Sequence, residues 1–127
     1  MKRTGIVWGA AAAVVLVSLA TQANAAGDAK IGAVLFNRCV ICHSTTKGAA
    51  SRMGPNLFGV VGRKAGTYPG FVYSQALKKA GFVWTVPKLE TWLADPQKLV
   101  PGNNMPIAGI ADAKQRADLA AYLATLK

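Results

Sequence analysis

Apolar residues recur at helical spacing just after Asp28, where Ile31, Leu35, Phe36 and Cys39 share a face and the Asp28 carboxylate can cap the first turn. This predicts a first helix that carries Cys39 to His43 on its last turn. The periodicity then stops. Between Ser44 and Tyr73 the glycines at 48, 54, 59, 62, 66 and 70 mark an irregular stretch rather than a helix. A short helix from Ser74 to Lys79 should end near Gly81. Thr85-Val86-Pro87 offers a hydroxyl cap and a first-turn proline for a helix through Trp92 and Leu93 that stops before Pro96, with a brief further turn to Val100. The last helix is the clearest: Asp112 and Gln115 form a capping-box-like pair, and Leu119, Tyr122, Leu123 and Leu126 lie on one face. No repeat, low-complexity tract or linker interrupts this order, so the expectation is one all-α domain of about four to five helices.

The first 25 residues have a different character. Lys2 and Arg3 make a basic start, Ile6 to Ala20 is an uncharged run dominated by Ala and Val, and Ala23-Asn24-Ala25 is an A-x-A cleavage signal. We expect residues 1–25 to be a signal peptide and 26–127 the mature domain, exported to a periplasm. The run is short of the roughly 20 residues needed to span a bilayer, which leaves an uncleaved N-terminal anchor as the alternative. Much of the 52% apolar content and the positive mean hydropathy belongs to this leader. Once Lys2 and Arg3 leave with it, 13 basic residues remain against 5 acidic, a formal charge of +8. Such a surface suits nucleic acid, anionic lipid or an acidic protein face. The cations are spread along the chain and form no nucleic-acid motif, which favours an acidic protein face.

The candidate chemistry is concentrated in Cys39-Val40-Ile41-Cys42-His43, a C-x-x-C-H run that reads as a c-type haem attachment site. Each thiol can form a thioether to the same porphyrin, and the adjacent imidazole can ligate the iron. Counting excludes the main competitor: a closed zinc site needs four Cys or His ligands, and the chain has two cysteines and one histidine. A thioredoxin-like C-x-x-C needs a βαβ surround, and a plain disulfide gives no reason for the histidine that follows. With His43 the sole histidine, bis-histidine ligation is excluded too. Met105, in Pro101-Gly102-Asn103-Asn104-Met105-Pro106, is the preferred second ligand, because prolines and glycine can hold a non-helical loop there. Met53, ten residues after His43, and an open or water-ligated iron are the alternatives.

These features together resemble a class I cytochrome c, near the cytochrome c2 branch. The motifs that carry the resemblance are Cys39-x-x-Cys42-His43, Gly54-Pro55-Asn56-Leu57-Phe58-Gly59, Gly62-Arg63-Lys64, Trp84, Pro101-Gly102-x-x-Met105 and Arg116-x-Asp118-Leu119-x-x-Tyr122-Leu123. The resemblance implies a cytochrome c fold around one covalent haem c, with the first and last helices crossing near Gly32, Phe36, Leu119 and Tyr122. It implies that the Pro55 carbonyl fixes the His43 ring, and that Arg63, Tyr73 and Trp84 surround the propionates. It also implies that Trp92 lines the haem pocket near the methionine.

Two departures alter that picture. Trp92 stands where the family usually has a tyrosine, and Leu77 where it often has an asparagine. A less polar interior disfavours the extra charge of ferric iron and should raise the reduction potential. The loop Asn103-Asn104 lacks the lysine common beside the axial methionine, and Gln97 replaces another usual lysine, so the cationic ring at the haem edge should be thinner. The functional expectation is a soluble one-electron carrier and not an enzyme. The partners the family implies are redox proteins with acidic docking surfaces, such as a cytochrome bc1 complex, terminal oxidase, photosynthetic reaction centre or dehydrogenase. The alternatives are a membrane-anchored or complex-bound subunit, and a ligand-binding or peroxidase-like haem protein with a labile Met105.

Overall fold

A computed structural model describes residues 26–127; the leader expected at residues 1–25 lies outside them. Five α-helices follow in order, each opened by a residue that satisfies an N-terminal amide. In α1 (Ala29–Leu35) the Asp28 carboxylate accepts from Lys30 and Ile31. In α2 (Gln75–Lys79) Ser74 Oγ accepts from Leu77, and in α3 (Val86–Ala94) Thr85 Oγ1 accepts from Lys88. Asp95 caps α4 (Pro96–Leu99) and Asp112 caps α5 (Ala113–Ala124). The described residues contain no strand; one isolated antiparallel bridge joins Lys64 to Val83. The all-helical expectation holds, with one local correction. The first helix ends at Leu35 and tightens into a 3₁₀ turn over Phe36–Arg38, so Cys39 to His43 lie beyond it in successive turns. The β-branched pair Val40 and Ile41 disfavours a further helical turn, and the chain closes instead through Cys39 N–H to Phe36 O and His43 N–H to Cys39 O.

The packing of α1 on α5 is the most extensive between helices, and α5 also packs against α3. Gly32 makes the crossing possible. A Cβ added there would lie 2.0 Å from the Asp118 carbonyl oxygen and 2.8 Å from Tyr122 Cβ, so the two backbones touch. Phe36 then stacks obliquely on Tyr122 with ring centroids 5.3 Å apart. Behind this contact the core runs through Val60, Trp84, Leu89, Trp92, Leu93, Leu119 and Leu123.

One carboxylate reinforces the crossing. Asp118 is buried on α5, where it accepts the Asp28 N–H at 2.6 Å and the Lys114 ammonium. The Asp28 amide first, and then Lys114, hold its pKa below the ordinary carboxylate value. A carboxyl with a depressed native pKa stabilises the fold above its unfolded value and loses that contribution as pH falls through the native one.

Two outcomes follow. Gly32→Ala should lower unfolding stability by about 2–3 kcal/mol, since backbone faces the new methyl and neither side can yield cheaply; denaturant titration measures it. Asp118→Asn should lower the melting temperature at neutral pH, with the gap to the parent protein closing as pH drops below about 4. A gap that stayed constant across that range would mean the charge is not what holds α1.

Candidate haem site

His43 is the fixed point of the site. Its Nδ1 donates to the Pro55 carbonyl at 2.8 Å, which leaves Nε2 as the free, lone-pair-bearing nitrogen. Burial is the larger influence on its pKa and lowers it, so the ring is held neutral and ligand-competent despite the opposing bond to Pro55. The neighbouring backbone is shaped to the ring. Gly54 lies flat against the imidazole: a Cβ there would be 2.4 Å from Cε1 and under 3 Å from both nitrogens. The Gly54 N–H donates to Cys42 O at 2.8 Å, stitching this turn to the attachment motif.

Pro55 is held from behind by Asn56, which is fully buried. The Asn56 amide donates to the Thr46 and Ala49 carbonyls, both at 2.8 Å, and its oxygen accepts from Phe58 N–H two residues on. Arg63 clasps the same loop, donating to Phe58 O at 3.3 Å and Asn56 O at 3.1 Å. Its guanidinium lies 4.7 Å from the centroid of Tyr68, whose N–H donates to Tyr73 Oη at 3.2 Å. Arg63 and Trp84 are joined through the bridge, with Trp84 N–H donating to Arg63 O. Of the sequence-derived propionate group, Arg63 and Tyr73 therefore meet at Tyr68, and Trp84 joins them through the Arg63 backbone. Burial raises the Tyr73 pKa, so it stays a neutral phenol whose own proton is free to be donated.

Trp92 on α3 packs edge-on against Trp84 with centroids 5.3 Å apart, and Trp84 packs edge-on against Phe82 at 4.8 Å. Leu77 packs against the same core, as its apolar character suggests.

On the other side of the core, Met105 is half-buried against the core cluster, whereas Met53 is 72% exposed. The Met105 loop is held by Asn103, which the sequence singled out only for the lysine its loop lacks. Asn103 is buried, donates to the Pro96 and Val100 carbonyls at 2.9 Å each, and accepts the Met105 N–H at 2.8 Å. Gln97, noted above only for the lysine it replaces, donates to Asn103 O at 2.9 Å and accepts from Gly102 N–H. An asparagine two residues before the methionine is an Asx-turn pattern, which was the available signal. Asn56 carries the same signal before Phe58.

The donor set fits a covalent haem c. Cys39 and Cys42 are unpaired thiols three positions apart, His43 presents one free nitrogen, and Gly54 packs close against the imidazole. A single-haem cytochrome is the class that such a site and such a fold define.

Comparison with known proteins agrees. The cytochrome c family model matches residues 29–127, and the chain belongs to that family, as a class I c-type cytochrome with one covalent haem c. It is 47% identical over 102 residues to cytochrome c2 of Rhodopila globiformis, covering 80% of this chain and 95% of that one. It is 44% identical over 100 residues to cytochrome c2 of Agrobacterium tumefaciens, covering 76% and 90%. Among solved structures it is similar to cytochrome cH from Methylobacterium extorquens, with a TM-score of 0.72 and 47% identity over 78% of this chain and 99% of that one. The chain is accordingly an electron carrier that works between redox partners, and not an enzyme.

The Asn103 contacts make a local prediction. Asn103→Leu removes the acceptor of the Met105 N–H and strips two carbonyls of their donor, which should cost about 1–3 kcal/mol. Amide hydrogen exchange at Met105 should accelerate by a corresponding factor while exchange in α1 and α5 is unchanged.

Proposed function

We propose that this cytochrome is an exported, periplasmic one-electron carrier whose iron is ligated by His43 and Met105. The observation that carries the ligand assignment is the contrast between the two candidate methionines: Met105 packs on the core in a loop pinned by Asn103, and Met53 is 72% exposed. With both axial positions taken by the protein, the iron has no open coordination site and the group carries electrons only. Arg63, Tyr73 and Trp84 would hold the propionates, by the remaining guanidinium N–H groups, the phenol proton and the indole N–H. Trp92 and Leu77 make the surround less polar and shift the potential upward. Export rests on the basic start, apolar run and A-x-A signal at residues 1–25, with cleavage after Ala25. The partners are redox proteins with acidic faces, of the kind formed by a bc1 complex, terminal oxidase, reaction centre or dehydrogenase.

The test is an absorption spectrum of the oxidised protein and of Met105→Ala. A weak near-infrared sulfur-to-iron band should be present in the first and lost in the second. Met53→Ala should retain it. A high-spin ferric spectrum without that band in the parent protein would instead place an open iron at the site and favour ligand binding.

A further inference from the structure

The irregular segment from Arg63 to Tyr73 closes on itself through three contacts. Gly66 turns it with a φ of +73° and presses on α2, where an added Cβ would lie 2.9 Å from Lys78 Cα and 3.0 Å from Leu77 O. Thr67 Oγ1 donates back to Lys64 O, and Tyr68 N–H donates forward to Tyr73 Oη at 3.2 Å. The turn leaves Thr67, Pro69 and Gly70 exposed but holds Tyr68 half-buried, its ring centroid 4.7 Å from the Arg63 guanidinium carbon. Tyr68 lies outside the hydrophobic core, so packing there does not account for the ring.

The bonds already made by Arg63 define what the ring adds. Phe58 O and Asn56 O each take a hydrogen from one terminal nitrogen, and those hydrogens lie in the guanidinium plane. Two such bonds fix where the group sits but not its tilt, because it can still rock about the line joining the acceptors. An aromatic face set against the cation resists that rocking. Among the described residues, Nε–H is left without an acceptor. Burial is the largest influence on Arg63 and lowers its pKa, yet an arginine stays charged, and a cation partly out of water acts over a longer reach.

We infer that Tyr68 is a positioning residue, whose ring holds the Arg63 guanidinium in the orientation from which it meets a haem propionate and thereby raises the reduction potential. This rests on the reading above that Arg63 holds a propionate. A cation kept in place beside the haem disfavours the added charge of ferric iron, whereas one free to swing into water is screened. The Tyr68 amide meanwhile occupies the Tyr73 hydroxyl oxygen, so one residue orders two of the three propionate donors, the phenol by its backbone and the guanidinium by its ring. Side-chain substitution removes only the second.

The test uses the holoprotein, with the potential read by redox titration and Arg63 Nε–H exchange read by NMR in the ferrous state. Tyr68→Ala should lower the potential and quicken the exchange roughly two- to fivefold, the size of a half-exposed cation–π contact. Tyr68→Phe keeps the π face and should match the parent in both. Arg63→Gln should lower the potential by itself, and Tyr68→Ala added to it should lower it no further. An unaltered potential in Tyr68→Ala would overturn the proposal even where exchange quickens, since the ring then steadies the side chain without reaching the haem. A loss in Tyr68→Phe as large as in Tyr68→Ala, or an additive fall on the Arg63→Gln background, would overturn it too. Should Arg63→Gln fail to fold, the contrast between Tyr68→Ala and Tyr68→Phe decides alone. An Arg63→Gln potential equal to the parent's removes the propionate reading and this proposal with it, whereas a lowered one beside an unaltered Tyr68→Ala removes only the role of Tyr68.

Discussion

The site depends on one hydrogen bond, from His43 Nδ1 to the Pro55 carbonyl. A protein with a single histidine must present that ring in one tautomer and one orientation, and an irregular loop is a poor anchor unless it is itself tied down. The segment from Ser44 to Tyr73 has no regular secondary structure to do so. Its order comes instead from Asn56 inside the loop and Arg63 across it, whose combined bonds fix four carbonyls around Pro55. Asn56 is fully buried, and each of its polar atoms has a partner, so displacing Pro55 would orphan several groups at once. Stability and the orientation of the His43 ring are in this region the same set of contacts.

The Met105 loop solves the equivalent problem in the same way with a different residue. Asn103 also forms an Asx turn to the residue two ahead and spends its amide on two carbonyls, those of Pro96 and Val100 at the ends of α4. The four-residue α4 is thus tied to the loop at both ends. Gln97 adds a third tie. The substitution of a usual lysine by Gln97 therefore exchanges a surface cation for internal order, a trade visible only once the Gly102 and Asn103 contacts are known.

How much of this was legible in the sequence varies by the kind of signal. Three of the helices were readable from a cap with a definite mechanism: Asp28, Thr85 and Asp112 accept from first-turn amides, and Ser74 and Asp95 prove to do the same at α2 and α4. The crossing at Gly32 followed from the family resemblance, and the structure supplies its steric cause in the carbonyl of Asp118. The end of the first helix was misplaced, because apolar spacing continues through Cys39 while the backbone has already tightened at Phe36. Periodicity placed Phe36 inward but also Ile31, which is 50% exposed, and it says little about whether the hydrogen bonds run i to i+4 or i to i+3. The roles of Asn56, Gln97 and Asn103 escaped because they are bonds to backbone groups brought in by folding, and that of Tyr68 because its ring meets Arg63 and its N–H the Tyr73 hydroxyl only in the folded chain. The pairing of Trp84 with Trp92 escaped for the same reason, since it joins the residue after a β-bridge to the middle of a helix.

The charge distribution has the same origin as the fold. Carboxylates are drawn to helix N-termini, where they satisfy free amides and oppose the helix dipole. Here Asp28, Asp95 and Asp112 are all placed there, and Asp118 closes the crossing of the terminal helices. With three of five acidic residues at helix N-termini and one buried at the crossing, the exterior carries far more cations than carboxylates. A net positive charge quickens the encounters of such a carrier with acidic proteins, and the capping carboxylates make the field uneven from one face to another. Folding requirements and the surface field are coupled through this allocation: each capping carboxylate offsets cationic charge at the helix end where it sits.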